Sequence, residues 1–277
     1  MSIIAIIINF FIEYKGLLTS IKKWFSGRIT AYANLFMKKE FQTVRQIRLN
    51  FIIAMIPFAV ATIILKSLHL NHLSWLYLVE NGILYILCVD MLGWKNEAKQ
   101  ANRKNTYQSF VQSFATNFFA TTIWFILLPS VLGSICYLTL TAMANILRQR
   151  SSDSAVYAMV IDKMLFWINV LPYTLLIILI AITGDFESVM HHMLTQKNKV
   201  KVSYLYLENL LNDVAYIAIG KDKFRNNRNY HNEDGFEVIE RKNVYDPQIV
   251  DYIVALLYRS GAFFILGIAA LFIAEFF

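Results

Sequence analysis

Residues 118–147 read FFATTIWFILLPSVLGSICYLTLTAMANIL, a stretch with no charged side chain and with Pro129 and Gly133 near its middle. A run that apolar belongs in hydrocarbon, where every backbone polar group needs an internal partner. Proline removes one donor from a helix, and its ring crowds the carbonyl four residues back. At about 1.5 Å per residue, an unbroken helix over this stretch is about 45 Å long, more than the roughly 30 Å of an upright crossing. Two readings are open. One is a kinked, tilted crossing in which Gly133 and Ser134 permit close packing. The other is a broken helix whose freed carbonyls line a polar cavity. Spacing alone favours the kink, because a break needs compensating polar groups.

The rest of the chain agrees with a membrane setting. Of 277 residues, 57% are hydrophobic and only 16% charged, and the mean hydropathy is +0.47. Soluble domains run nearer 45–50% apolar and about 25% charged. The formal charge is +7, but the basic residues sit between apolar blocks, which argues for cytoplasmic loops and against nucleic acid. Cys88 and Cys136 each lie inside an apolar block and show neither disulfide nor metal spacing. The opening MSIIAIIINFFIEYKG lacks a basic n-region and is not read as a cleaved signal.

These blocks predict an all-α, polytopic helical membrane protein of one domain (1–277), with about five to six membrane segments. They fall at about 2–12, 50–68, 73–93, 118–147, 164–183 and 260–277. The 2–12 block is short, and half-span and full-span readings both stand. If all six cross, the segments 13–49, 94–117 and 184–259 share one side. They hold 22 of the 26 Lys and Arg residues, against 4 on the other side. The positive-inside rule then makes those three segments cytoplasmic and puts both termini outside.

Within them, 20–49 mixes aromatic and basic residues at helical spacing, as a helix at the bilayer surface does. The stretch YLYLENLLNDVAYIAIG (204–220) has apolar residues at i, i+3 and i+4, with Gly220 as its stop. Residues 221–235 read as a loop, and Asp246-Pro247 opens a helix that runs into the last block.

An ionisable residue at membrane depth is a functional candidate by default, because burying its charge is costly. Glu80, Asn81 and Asp90 form the candidate intramembrane polar site, with Glu80-Asn81 the better placed and Asp90 near the end of its block. The HLNH stretch puts His69 and His72 three apart, without an evident third metal ligand. No phosphate-binding glycine loop, metalloprotease or serine-nucleophile motif occurs. No catalytic residue, metal or cofactor is expected.

The order of features resembles the membrane protein family that joins AmpE to the CbiB/CobD cobalamin-biosynthesis proteins. Ile123-Trp124 stands where that family has a Phe-Trp pair, 128–133 where it bends, and Tyr137 in the continuation. Asn169, Pro172 and the apolar run to Gly184 match a second, looser motif. Glu13, Trp24 and Arg28 follow the order of AmpE-type N-termini. The resemblance implies an AmpE-like accessory or signalling protein of the bacterial inner membrane, which modulates β-lactamase induction and senses cell-wall turnover. Its expected partners are the bilayer and other inner-membrane proteins, not nucleic acid. The alternatives are a CbiB-like amide synthase and a small-solute transporter. Amide synthesis with ATP needs carboxylates for magnesium and cations for phosphate. At the matching places this chain has Gln112, Thr116, Leu138, Asn169 and Thr174, which disfavours the enzyme.

Overall fold

The computed structural model describes residues 5–9, 18–37, 44–70, 74–89, 107–128, 131–150, 155–196, 203–220 and 247–274. All regular structure among them is helical. The helices are α1 (Thr19–Met37), α2 (Val44–Leu70), α3 (Ser74–Cys88), α4 (Tyr107–Leu127), α5 (Leu132–Arg150), α6 (Ala155–Thr183), α7 (Phe186–Gln196), α8 (Tyr204–Ile217) and α9 (Pro247–Ala274). Residues 5–9 form a further helical stretch.

Four of these helices are long and apolar enough to cross a membrane: α2 over Val44–Ala61, α4 throughout, α6 over Met159–Thr183 and α9 over Ile249–Leu271. Ile63, Trp167, Leu266 and Leu271 are exposed on three of them, as side chains facing lipid would be. Within the 73–93 block, α3 has 15 residues, about 22 Å at 1.5 Å per residue and shorter than a full crossing. Of the 2–12 block, only 5–9 is described.

The stretch 118–147 is not one continuous helix but is broken near its middle. α4 ends at Leu127, and Leu128 is extended at φ −99° and ψ 141°, the conformation a residue before proline favours. Pro129 itself lies outside the described residues. Beyond it, the Ser134 hydroxyl donates to the Thr121 carbonyl at 2.9 Å. In a continuous helix, residues thirteen apart would be separated by about 20 Å. The chain turns sharply here, setting the first turn of α5 against the last turns of α4, and the Asn81 side-chain oxygen accepts the Val131 N–H at 3.0 Å to hold the turn. Helix α4 starts at Tyr107, so residues 107–117, expected in a cytoplasmic segment, form its first turns. Their Gln, Ser, Thr and Asn lower the apolarity of the run without breaking the helix.

Two contacts orient the bundle. The Tyr107 ring lies 5.6 Å from that of Tyr216, and Gly184 packs on Ala218. The start of α4 and the end of α6 therefore meet the same end of α8, away from the 128–131 turn. At the other end of α8, the Leu205 N–H bonds Asp162 Oδ1 at 3.2 Å. Helix α8 thus lies lengthwise beside α6, and Gly220 closes its end at φ +89°.

Both α8 and α1 were expected in cytoplasmic segments, and both pack into the bundle. Leu211 and Val214 of α8 and Ala33 and Met37 of α1 are buried. The Tyr32 hydroxyl donates to the Ala54 carbonyl at 2.9 Å, tying α1 to α2. A helix on a bilayer and one on a bundle share the same 3.6-residue period, so sequence spacing does not separate them.

Candidate functional site

Midway along α4 the backbone is π-helical over Phe114–Ala120. Such turns are uncommon and recur at functional positions. The Thr121 hydroxyl donates to the Thr116 carbonyl at 2.9 Å and ties off the widened turn. Thr116 and Asn117 stand within it, and polar side chains lead away from each.

From Thr116 the path runs toward α6 and α8. The Thr116 and Tyr173 hydroxyls are 3.1 Å apart, and those of Tyr173 and Tyr204 are also 3.1 Å apart. In the same layer, the Tyr137 hydroxyl donates to Asn169 Oδ1 at 2.7 Å. The Arg148 guanidinium lies 5.7 Å from the centre of the Tyr204 ring and 3.9 Å from Glu208 Oε2. Tyr137, Tyr173, Tyr204 and Glu208 are all buried. Asn212 Oδ1, one turn beyond Glu208, is buried with no hydrogen-bond partner among the described residues.

Burial pushes the Glu208 carboxyl above its ordinary value and Asp162 adds to the shift, while the Tyr204 hydrogen bond and Arg148 oppose it. The folded state then binds that proton more tightly than the unfolded chain. This contribution to stability is present below the ordinary carboxyl range and is lost as pH rises through the raised value. Glu208→Gln imitates the protonated form. Thermal midpoints measured in detergent across acidic to mildly alkaline pH should therefore fall less steeply for this variant than for the native chain. Parallel curves would remove Glu208 as the titrating group.

From Asn117 the path runs the other way. Asn117, Lys22, Ser26 and Cys88 line a cavity of about 50 Å³. Lys22 is 1% exposed, and its ammonium donates to Asn9 Oδ1 at 3.1 Å. A carboxylate and an ammonium thus mark the two ends of a polar seam, joined in part by hydroxyls that both donate and accept. Among the described residues, no group of three or more His, Cys, Asp or Glu side chains is placed to hold a metal ion.

The residues singled out from sequence land in different places. Tyr137 and Asn169 are brought together. Asn81 serves the turn; Glu80 lies on α3, while Asp90 and Glu13 fall outside the described residues. Arg28 stacks over Trp24 at 5.2 Å on the outer side of α1. Trp124 Nε1 is buried without a hydrogen-bond partner among the described residues, and the Trp124 carbonyl closes on Gly133. Pro172 precedes Tyr173 inside α6, and Gly184 lies on Ala218. Lys22, Tyr204 and Glu208 were not singled out. Their signal was position: Lys22 shares a helical face with Ile29, Ala33 and Met37, and Glu208 shares one with Tyr204, Leu211 and Ala215.

Compared with protein-family models, curated proteins and solved structures, the chain matches none.

Proposed function

We propose that the chain is a multi-pass protein of the bacterial inner membrane that works as an AmpE-like accessory or signalling component, with a role in modulating β-lactamase induction and cell-wall sensing. The observation that supports this reading is the 2.7 Å bond between Tyr137 and Asn169. Both are positions on which the family resemblance rests. At Asn169 the CbiB-type pattern has an aspartate, and here a neutral amide is engaged with a neighbouring phenol. That is a packing role, not one in phosphate or magnesium chemistry. A small-solute transporter is the second reading, favoured by the cavity beside Lys22.

The functional test has two arms. A strain lacking the CbiB-type enzyme, given the corrinoid acid precursor and this protein, should make no cobalamin; cobalamin production would overturn the non-enzymatic reading. A deletion strain should show altered β-lactamase induction, and an unchanged response would remove the signalling role.

For topology we place five to six membrane segments, adding 2–12 and 73–93 to the four candidate spans. The basic stretches 94–106 and 221–246 then share the cytoplasmic side. The meeting of Tyr107 with Tyr216 and of Gly184 with Ala218 at one end of α8 supports that pairing. With Cys88 and Cys136 replaced by serine, Asn71→Cys should react with an impermeant thiol reagent in intact cells. Asn226→Cys should react only after permeabilisation. Labelling of Asn226→Cys from outside would invert the arrangement.

A further inference from the structure

We propose that α7 is a lipid-surface helix, lying in the plane of the membrane with its Phe186, Met190 and Leu194 edge in the headgroup–acyl boundary. The first argument is where α6 ends. Its apolar span covers 25 residues, Met159–Thr183, about 37 Å at 1.5 Å per residue against roughly 30 Å of hydrocarbon. Upright or tilted, such a span brings Thr183 to the edge of the hydrocarbon. Helix α7 begins three residues later and has 11 residues, about 16 Å and too short to cross back. Its start is pinned. The Asp185 N–H donates to the Ala218 carbonyl at 2.9 Å, and Asp185 Oδ1 accepts the Ser188 N–H at 3.1 Å.

The second argument is the division of α7 into three faces. At about 100° per residue, positions 186, 190 and 194 share one edge of the helix, and 187, 191 and 195 share the next. Phe186, Met190 and Leu194 are 55%, 38% and 64% exposed, an apolar strip over three successive turns. Glu187, His191 and Thr195 are exposed beside them. The remaining face is taken up by protein: Val189 is buried, Met193 packs against the core, and α7 contacts both α6 and α8. One apolar edge, one polar edge and the rest on the bundle is the pattern of a helix at a water–lipid boundary.

The third argument names lipid as the occupant. On α6 the exposed residues Leu171, Leu175, Ile178 and Ile182 are spaced as one helix face, and this face reaches the boundary one turn before Phe186. The apolar edge of α7 carries on from a surface that lipid covers. A bilayer takes that edge and leaves Glu187 and His191 in water. The stretch 20–49, expected from its sequence to lie on the bilayer, instead sends Ala33 and Met37 into the bundle; the surface role falls to α7.

The proposal rests on α6 crossing the membrane, and the test separates the two. With Cys88 and Cys136 replaced by serine, Leu171→Cys, Met190→Cys and His191→Cys are each labelled with a polarity-sensitive fluorophore. The full chain is then reconstituted in phosphatidylcholine vesicles with iodide available on both sides. The Met190→Cys probe should emit to the blue of the His191→Cys probe and lose its emission to lipids carrying a nitroxide near the headgroup. The His191→Cys probe should lose emission to iodide instead, and the Leu171→Cys probe to nitroxides deep in the acyl chains. Leu194→Cys repeats the Met190 measurement if labelling at 190 disturbs the fold. If lipid reaches Leu171 while iodide quenches the Met190 and Leu194 probes as strongly as the His191 probe, α7 stands in water and the proposal falls. It falls as well if those probes are shielded from both quenchers, since a second copy or another protein then covers the edge. A Leu171 probe open to iodide would take α6 out of the membrane, and the membrane reading with it.

Discussion

Gly133→Ala is expected to dislodge the turn between α4 and α5. A Cβ at this position would sit 2.2 Å from the Trp124 carbonyl oxygen, 3.0 Å from its carbon and 2.8 Å from Leu128 Cβ. Two of these neighbours are backbone atoms, which cannot rotate aside as a flexible side chain would. Overpacking in a well-packed interior typically costs about 1–3 kcal/mol, occasionally more. With backbone on one side and Ser134 tied to Thr121 on the other, the loss should reach about 3 kcal/mol. Gly184→Ala meets a similar barrier, with Ala218 O at 2.6 Å and Ile180 O at 3.0 Å. The controls are Gly27→Ala and Gly267→Ala, since nothing lies within 4 Å of a Cβ at either. Alanine there should be neutral or stabilise its helix by up to about 1 kcal/mol. Thermal unfolding in detergent reads the difference. A Gly133→Ala protein as stable as Gly27→Ala would refute the close packing of this turn.

Tyr173→Phe should carry the second large effect. The Tyr173 hydroxyl touches both Thr116 and Tyr204, each at 3.1 Å, so its removal strips a partner from two groups. Leaving a buried polar group unsatisfied costs about 1–3 kcal/mol, and the expected loss is about 2–3 kcal/mol. Thr174→Val makes the contrast, because that hydroxyl is exposed and bonds only the local Val170 carbonyl. A Tyr173→Phe protein with the stability of Thr174→Val would show that the hydroxyl chain holds nothing together. A Thr116→Val, Tyr173→Phe double variant adds a sharper reading. If the two hydroxyls act as one unit, the double loss should be smaller than the sum of the single losses.

Much of the architecture was legible in one dimension. Long apolar runs impose helices in hydrocarbon, because only a helix or a closed barrel satisfies the backbone there. The proline at 247 opens α9 and the glycine at 220 closes α8, since each acts through its own backbone angles. The bend near Pro129 was visible for the same reason, through the extended conformation proline asks of Leu128.

What the bend does was decided elsewhere. The sharp turn rests on Asn81 meeting Val131 and Ser134 meeting Thr121, contacts between segments whose separation in sequence says nothing about their separation in space. The same holds for the candidate site. Spacing puts Lys22 on a helical face with Ala33 and Met37, and Glu208 on one with Leu211. Only the packed bundle makes that face of α1 meet Cys88 and Asn117, and sets Tyr204, on the face of Glu208, against Tyr173. Periodicity identifies which side of a helix is buried; the partner that buries it, and hence whether a polar group there is held by a neighbour or by a cavity, is a property of the tertiary fold.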